Sequence, residues 1–368
     1  MSAPQRGRRR LTKWAVIAAA GLCLIITGLN RAPGQPLPIE GDYVLHDFHF
    51  QTGEVLPELR IHYRTLGTPQ RNAQGTVTNA VLILHGTTGH GGNLLVPSFA
   101  GELFGDGQLL DAKNFYLILP DGIGHGQSSK PSNGLHGRFP HYGYRDMVLA
   151  QYLLLTEGLK INHLRLVMGT SMGGMHTWLW GESYPNFMDA LLPLASLPTE
   201  MSGRNREWRR VVIDAIRNDP EWLNGEYQKQ PSGLRTAAEM LYLMGSNPVL
   251  RQKEAPTREQ ADKVFDKAIN KALSNMDAND TLYALDASRD YDPSPALEKI
   301  EAPLIAVNSA DDLINPPELG ILEQEIKRVK HGRAVLIPLS DRTRGHGTHT
   351  VAAIWKDHLA ELLAESAH

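Results

Sequence analysis

Residues 164–180, LRLVMGTSMGGMHTWLW, decide how the rest of this chain folds. Residues 164–168 form an apolar run that predicts a buried strand, and residues 172–180 predict a helix. Between them, residues 169–173 read GTSMG, a G-x-S-x-G motif. In that setting the serine stands on a sharp, strained turn with its hydroxyl exposed above a sheet, and glycines flank it because side chains would crowd the turn. Ser171 is therefore a candidate nucleophile; the alternative is an ordinary strand-turn-helix joint with an idle serine.

Apolar runs recur along the chain and indicate strands buried on both faces of a sheet. They occupy residues 80–84, 115–119, 164–168, 190–194, 303–307 and 334–337. Two alternating stretches, 43–50 and 59–65, flank Gly53 and predict an antiparallel hairpin that opens the sheet. With helical segments between most runs, the sequence predicts an α/β fold of about eight mostly parallel strands with crossover helices.

The strand pattern vanishes between residues 201 and 290, and segments 207–217, 236–244 and 257–274 predict helices there. This stretch is interpreted as a helical cap over the strand ends. The predicted parts are a signal or anchor (1–30), a proline-rich linker (31–42), the first part of the core (43–200), the cap (201–290) and the second part of the core (291–368).

Composition narrows the function classes. The chain has 368 residues and a formal charge of −3, with 42% hydrophobic and 21% charged residues. These are ordinary values for a globular protein, and no charge run after the N-terminus calls for nucleic acid. The only cysteine, Cys23, lies in the N-terminal apolar stretch, which excludes disulfide and thiolate chemistry from the predicted core.

The N-terminus has the pattern of an export signal. Basic residues without an acid occupy positions 6–13, and the apolar run WAVIAAAGLCLIITGL follows at 14–29. The pattern predicts a cleaved signal or an uncleaved anchor, with the catalytic domain exported to the periplasm or another extracytoplasmic space, or anchored to the membrane. A buried hydrophobic helix is the alternative.

A serine nucleophile needs a base within hydrogen-bond reach and a carboxylate that orients the base. The acid is expected after the seventh strand, and Asp311 and Asp312 directly follow the run 303–307. Asp312 is preferred because it stands four residues before Pro316, which opens the next helix. Asp311 is the alternative, and the other member of the pair would cap a helix or turn the loop.

His346 is the candidate base because it lies on the loop after the last predicted strand. A metal site made of His346 and His349 is disfavoured, since no carboxylate or cysteine stands at a matching spacing, and no metal is expected. The other histidines near the predicted rim are interpreted mostly as surface or substrate-facing residues: His85, His90, His125, His136 and His141.

An oxyanion hole needs two backbone N–H groups. The candidates are Met172, directly after the serine, and Thr87, in the loop 85–89 (HGTTG). A plain glycine-rich turn is the alternative for this loop. A phosphate cradle is excluded because no lysine follows at the required spacing.

These stretches resemble the α/β-hydrolase superfamily and, more narrowly, the homoserine O-acetyltransferase family. The matching stretches are 79–89 (NAVLILHGTTG), 144–151 (YRDMVLAQ), 169–175 (GTSMGGM), 219–227 (DPEWLNGEY), 311–317 and 345–346. The resemblance runs from about residue 43 to the C-terminus. It implies that Ser171 is acetylated from acetyl-CoA and passes the acyl group to an alcohol, with Asp312 and His346 completing the triad.

The resemblance also implies an arginine for the substrate carboxylate, at Arg209 or Arg210. Two stretches depart from the acetyltransferase pattern. Gly347 follows the candidate base, where an aspartate usually contacts the amino group of homoserine, and residues 126–129 read GQSS in place of a Gly-Pro-Ser loop. The predicted export would also separate the domain from cytoplasmic acetyl-CoA.

The first interpretation is an exported serine hydrolase that cleaves a small carboxylic ester or related acyl compound. The alternative is an O-acyltransferase of the homoserine O-acetyltransferase type, in which an alcohol replaces water. A third interpretation, a non-catalytic binding protein on the same fold, is disfavoured by the complete triad. No cofactor is expected. The expected partners are a small acyl substrate, the membrane if the N-terminal segment is uncleaved, and a second copy in a homodimer.

Overall fold

The computed structural model describes residues 37–367, in which an eight-stranded sheet is covered by helices. The strands are β1 (Ile39–His49), β2 (Val55–Leu66), β3 (Ala80–Leu84), β4 (Tyr116–Pro120), β5 (Leu166–Thr170), β6 (Leu191–Leu194), β7 (Leu304–Ser309) and β8 (Gly332–Ile337). They lie in the order β1-β2-β4-β3-β5-β6-β7-β8. Strand β2 is antiparallel to β1 and β4, and the other neighbouring pairs are parallel. The predicted α/β class and its opening hairpin are confirmed.

Ten α-helices lie within residues 37–367. They are α1 (Ala100–Leu103), α2 (Tyr144–Leu153), α3 (Met172–Ser183), α4 (Gly203–Arg217), α5 (Gly233–Met244), α6 (Pro248–Glu254), α7 (Arg258–Leu273), α8 (Ala278–Asp286), α9 (Ile321–Glu325) and α10 (Lys356–Glu365). Helices α4–α8 lie between β6 and β7, in the stretch interpreted as a cap. The domain limits stay a prediction, and residues 1–36 lie outside the described part of the chain.

Helices α6 and α8 have no counterpart in the sequence prediction. Both are short, and each begins at a polar N-cap: the side chain of Asn247 accepts from the Leu250 N–H, and that of Asp277 from the Asp280 N–H. Such caps satisfy backbone donors that a short helix otherwise leaves unpaired. The caps, more than apolar periodicity, mark where these two helices start.

The continuous apolar strands are explained by two cores, one on each face of the sheet. Successive strand side chains point to opposite faces. Val81 therefore packs in the core that holds Leu103 of α1 and Leu359 of α10, whereas Leu82 packs in the core that holds Trp178 of α3. A strand covered on both faces needs an apolar side chain at every position.

The turn between β5 and α3 is a single residue. The sequence predicted that the strand ends at Met168, but β5 continues to Thr170 and α3 begins at Met172. Ser171 between them has φ 55° and ψ −113°, a conformation that costs free energy in a residue with a side chain. This conformation of Ser171 turns the chain sharply from the strand into the helix.

Two glycines permit the close approach of backbone at this turn. A Cβ on Gly169 would lie 2.2 Å from the Gly173 carbonyl oxygen. A Cβ on Gly173 would lie 2.2 Å from the Leu84 carbonyl oxygen. Because both obstacles are backbone atoms of buried elements, neither can move without displacing β3, β5 or α3.

We expect Gly169→Ala to lower the free energy of unfolding by about 3 kcal/mol or more, at the upper end of overpacking effects. Gly347→Ala is the matched control, since the nearest atom to its Cβ would be the Arg344 Cβ at 3.8 Å. Urea denaturation of the two variants checks this expectation. Equal loss of stability in both would show that the turn relaxes easily.

Candidate active site

Three side chains meet above the ends of β5, β7 and β8. The His346 Nε2 lies 2.8 Å from the Ser171 Oγ, and the His346 Nδ1 lies 2.9 Å from the Asp312 Oδ2. A carboxylate only accepts, so Nδ1 carries the ring proton and donates it to Asp312. Nε2 then accepts from the serine hydroxyl, which is the arrangement that a serine nucleophile requires.

Asp312 is held as a carboxylate. Burial raises the pKa of its side chain, but the charge and hydrogen bond of His346 and the N–H groups of Ile314 and Asn315 together outweigh burial, so the pKa lies below its ordinary value. Those N–H groups donate to Oδ1 at 2.8 and 3.1 Å, which leaves Oδ2 for His346.

The neighbouring aspartate has a different set of partners. Asp311 Oδ2 accepts from the Gly345 N–H at 2.8 Å and from the Asn247 side chain, while Oδ1 accepts from the Ser309 hydroxyl. Asp311 therefore ties the loop that carries His346 to β7 and to the start of α6. The structure brings Asp312, and not Asp311, into contact with the His346 ring.

The residues considered for the oxyanion hole lie beside the serine. Met172 is the first residue of α3, so its N–H has no acceptor within the helix. Thr87 lines the same pocket as Ser171. A Cβ on Gly86 would lie 3.4 Å from the Ser171 Cβ, which shows how close the loop 85–89 runs to the serine.

The His85 ring contacts both the loop 85–89 and the segment after β4. Its Nδ1 lies 2.8 Å from the Gly86 carbonyl oxygen, and its Nε2 accepts from the Gly122 N–H at 2.9 Å. Burial, with a further contribution from His125, lowers the pKa of His85 to about 3, so the ring is neutral. His85 and His125 are 3% and 6% exposed, so neither is a surface residue, and His85 lines the pocket that contains Ser171.

A pocket of about 310 Å³ opens at Ser171. His346, Thr87, Trp208 and Arg209 are among the residues that line it. Of the described residues in its wall, Arg209 is the only lysine or arginine, and none is an aspartate or glutamate. The pocket therefore presents one permanent positive charge.

Arg209 and Arg210 are separated by the helical geometry of α4. Arg209 is 2% exposed and lies on the face of α4 that buries Trp208, Val212 and Ile213. Arg210 is exposed, and its Nη2 pairs with the Asp214 Oδ2 at 2.9 Å. The structure places Arg209 at the pocket and Arg210 away from it. In the sequence, Val212 and Ile213 follow Arg209 at i+3 and i+4. This spacing predicts that Arg209 lies on the buried face of α4.

The Arg209 guanidinium has only neutral partners among the described residues. Its Nε donates to the Asn205 Oδ1 at 3.1 Å, one Nη contacts the Ser288 hydroxyl at 3.4 Å, and the Trp208 ring lies 4.7 Å away. Burial lowers the pKa of Arg209, which indicates how poorly its charge is solvated. A buried charge in this state favours an anionic partner.

His349 also lies at the pocket, with its ring centroid 5.1 Å from that of His346. Burial and the neighbouring His346 lower the pKa of His349 to about 3, so it is neutral. No group of three or more histidine, cysteine, aspartate or glutamate side chains in residues 37–367 is arranged to hold a metal ion.

Comparison with known proteins agrees with this geometry. The sequence profile described as "alpha/beta hydrolase fold" matches residues 79–337. A probable acyltransferase from Methanothermobacter thermautotrophicus is 31% identical over 278 residues, 75% of this chain and 84% of that protein. A homoserine O-acetyltransferase from Chlorobaculum parvum is 31% identical over 327 residues, 81% of this chain and 87% of that protein. The structure of the acetyl esterase MekB has a TM-score of 0.75 at 25% identity, covering 89% of this chain and 97% of that one.

The fold and these relatives define the class: an α/β-hydrolase enzyme that transfers acyl groups to a hydroxyl acceptor or to water. The chain belongs to the homoserine O-acetyltransferase-like family of the α/β-hydrolase superfamily.

The predicted location outside the cytoplasm, exported or membrane-anchored, is wrong. Relatives that match 81% and 86% of this chain are named homoserine O-acetyltransferases, and none of the comparisons supports export. Within residues 37–367, no helix is long and apolar enough to cross a bilayer. The prediction depended on charge and apolar composition in residues 1–30, which lie outside the described residues. The expected membrane contact and homodimer likewise have no support in these findings.

We expect Asp312→Asn to reduce kcat by roughly 10⁴-fold, because the amide favours the wrong tautomer of His346. Asp311→Asn is the matched control: it keeps the His346–Asp312 contact and should lose far less activity. Turnover of an activated acetyl ester measures both, with thermal unfolding to confirm that both variants fold. The reverse order of effects would make Asp311 the orienting acid.

Proposed function

We propose that the protein is an O-acyltransferase that works through an acyl-enzyme on Ser171. The Ser171 Oγ attacks the acyl carbonyl carbon while its proton passes to the His346 Nε2. The bond from that carbon to the leaving group breaks, and His346 gives the proton to the leaving group. Asp312 holds the tautomer and orientation of His346 throughout.

The second half of the reaction uses the same atoms. The hydroxyl of the acceptor attacks the acyl carbon as its proton passes to the His346 Nε2. The bond between the acyl carbon and the Ser171 oxygen breaks, and His346 returns the proton to Ser171. In both halves the backbone N–H groups of Thr87 and Met172 stabilise the negative charge on the former carbonyl oxygen.

The charge in the pocket supports an acceptor that carries a carboxylate. Arg209 is buried, has neutral partners, and is the only permanent charge among the described residues of the pocket wall. A carboxylate on the acceptor would pair with the guanidinium and offset its poor solvation. This single observation carries the assignment of acceptor chemistry.

Among the pocket residues that the structure describes, no carboxylate lies beside the base to bind an amino group of the acceptor. Gly347 follows His346, and no aspartate or glutamate lines the described pocket wall. An ammonium group on the acceptor therefore has no charged partner there. The proposed acceptor class is a small hydroxy acid, for which an α-amino group brings no gain in affinity.

Hydrolysis of small acyl esters is the second candidate, and a specific observation favours it. Ser171 is partly exposed in the pocket wall, so water can reach an acyl group on its oxygen. The likeness to the acetyl esterase MekB agrees with this candidate. Water and a hydroxy acid would compete for the same acyl-enzyme.

The experiment is a comparison of acceptors by mass spectrometry of the products, with acetyl-CoA and an activated acetyl ester as donors. The acceptors are homoserine, γ-hydroxybutyrate without the amino group, and the aminodiol in which CH₂OH replaces the carboxylate. We expect acetylation of homoserine and γ-hydroxybutyrate with similar kcat/KM. The kcat/KM for the aminodiol should be lower by roughly 30-fold or more, because the aminodiol leaves Arg209 unpaired.

Arg209→Met and Arg210→Met form the matched pair for this experiment. We expect Arg209→Met to abolish the preference for acceptors with a carboxylate, and Arg210→Met to keep it. Ser171→Ala should remove product formation with every acceptor. Hydrolysis that exceeds transfer at saturating hydroxy acid would establish the esterase instead, and a strong preference for homoserine over γ-hydroxybutyrate would contradict the proposed acceptor class.

A further inference from the structure

His125 makes a pair of contacts that its chemistry can satisfy only in part. It lies in the segment after β4 and is 6% exposed. Its Nδ1 lies 2.8 Å from the Ile123 carbonyl oxygen, and its Nε2 lies 2.7 Å from the Thr87 carbonyl oxygen. Both partners are acceptors.

A neutral imidazole has one N–H, so it can donate to only one of these two carbonyl groups. Burial is the largest influence on His125 and lowers the pKa of its ring, although both carbonyl groups, Asp280 and Asp121 act in the opposite direction. The ring is therefore neutral at neutral pH. It can donate either to its own segment, at Ile123, or across to Thr87.

The carbonyl groups on both sides of the Thr87 N–H, the proposed oxyanion donor, face histidine rings. On one side of Thr87, the Gly86 carbonyl oxygen faces the His85 Nδ1 and also accepts from the Gly89 N–H at 2.9 Å. In a trans peptide the N–H points opposite to the carbonyl, so the Thr87 N–H points away from His85. On the other side of Thr87, its own carbonyl faces His125.

The two histidines thus hold the two peptide groups that flank Thr87. His85 fixes the peptide whose N–H is the proposed oxyanion donor. The His125 Nε2 lies 2.7 Å from the carbonyl oxygen of the next peptide, and a hydrogen bond there would restrict rotation of the Thr87 backbone between the two peptides. His85 also accepts from the Gly122 N–H, and His125 belongs to the same segment, 121–125, so both rings connect the loop 85–89 to the segment after β4.

We propose that His125 donates from Nε2 to the Thr87 carbonyl and thereby positions the Thr87 N–H for the oxyanion. His125 is a positioning residue, since it acts on the reaction through Thr87. This role rests on the proposed function of Ser171 as an acylated nucleophile, because only then does an oxyanion form in the pocket.

Two substitutions separate the two contacts of the ring. His125→Gln carries an amide N–H at about the reach of Nε2, and so keeps a donor for the Thr87 carbonyl. His125→Asn carries its N–H at about the reach of Nδ1, and so keeps a donor only for Ile123. Both variants are neutral, which removes any effect of charge from the comparison.

We expect His125→Gln to retain kcat within about threefold of the unmodified protein. We expect His125→Asn to lose roughly 10- to 100-fold in kcat, the scale of effects from misplaced groups, with little change in KM. The affinity for a boronic acid, which forms a tetrahedral adduct with the serine, should fall in parallel with kcat. A loss caused only by poor packing would not follow this split between kcat and KM.

Thermal unfolding shows whether each variant is folded, and His125→Ser, which is also too short to reach Thr87, replaces His125→Asn if that variant does not fold. Equal kcat for His125→Asn and the unmodified protein, or equal losses for the Gln and Asn variants, would overturn the role of His125 alone. Absence of turnover and of Ser171 labelling by a fluorophosphonate in the unmodified protein would overturn the proposed function, and the role of His125 with it.

Discussion

The strained backbone at Ser171 is the constraint on which the rest of the site depends. Gly169 and Gly173 allow β5 and α3 to approach so closely that one residue makes the whole turn. That geometry lifts the serine above the sheet edge where β7 and β8 also end. The loops that follow those strands bring Asp312 and His346 to it. The parallel sheet therefore assembles the site from distant parts of the chain.

Burial shapes the electrostatics of the pocket as strongly as any charged residue. It keeps His85 and His349 neutral, so these rings act through hydrogen bonds and packing rather than charge. The guanidinium of Arg209 is then the one permanent charge among the described wall residues. In the proposed function, Arg209 binds the anionic group of the acceptor and Ser171 carries the acyl group, so different residues of one pocket bind the acceptor and react.

Local patterns predicted the fold, because strand runs and the G-x-S-x-G turn are read from adjacent residues. Asp312 and His346, which meet at Ser171, were predicted from the order of the strands that precede them. Contacts made across the fold were not predictable in the same way. The burial of His85 and His125 depends on a loop from β4 that covers the loop 85–89. The choice of Arg209 over Arg210 depends on a rotation of about 100° between neighbouring helix positions. Composition at the N-terminus led to a wrong location.

Acyl transfer through Ser171 requires a covalent acyl-enzyme, and mass spectrometry of the intact protein detects it directly. The protein is mixed rapidly with an activated acetyl ester and quenched in acid, and the modified peptide is then sequenced. We expect one acetyl group per chain, on Ser171, that disappears when a hydroxy acid is added before the quench. An acetyl group on another residue, or steady turnover with no adduct at any quench time, would contradict the acyl-enzyme on Ser171.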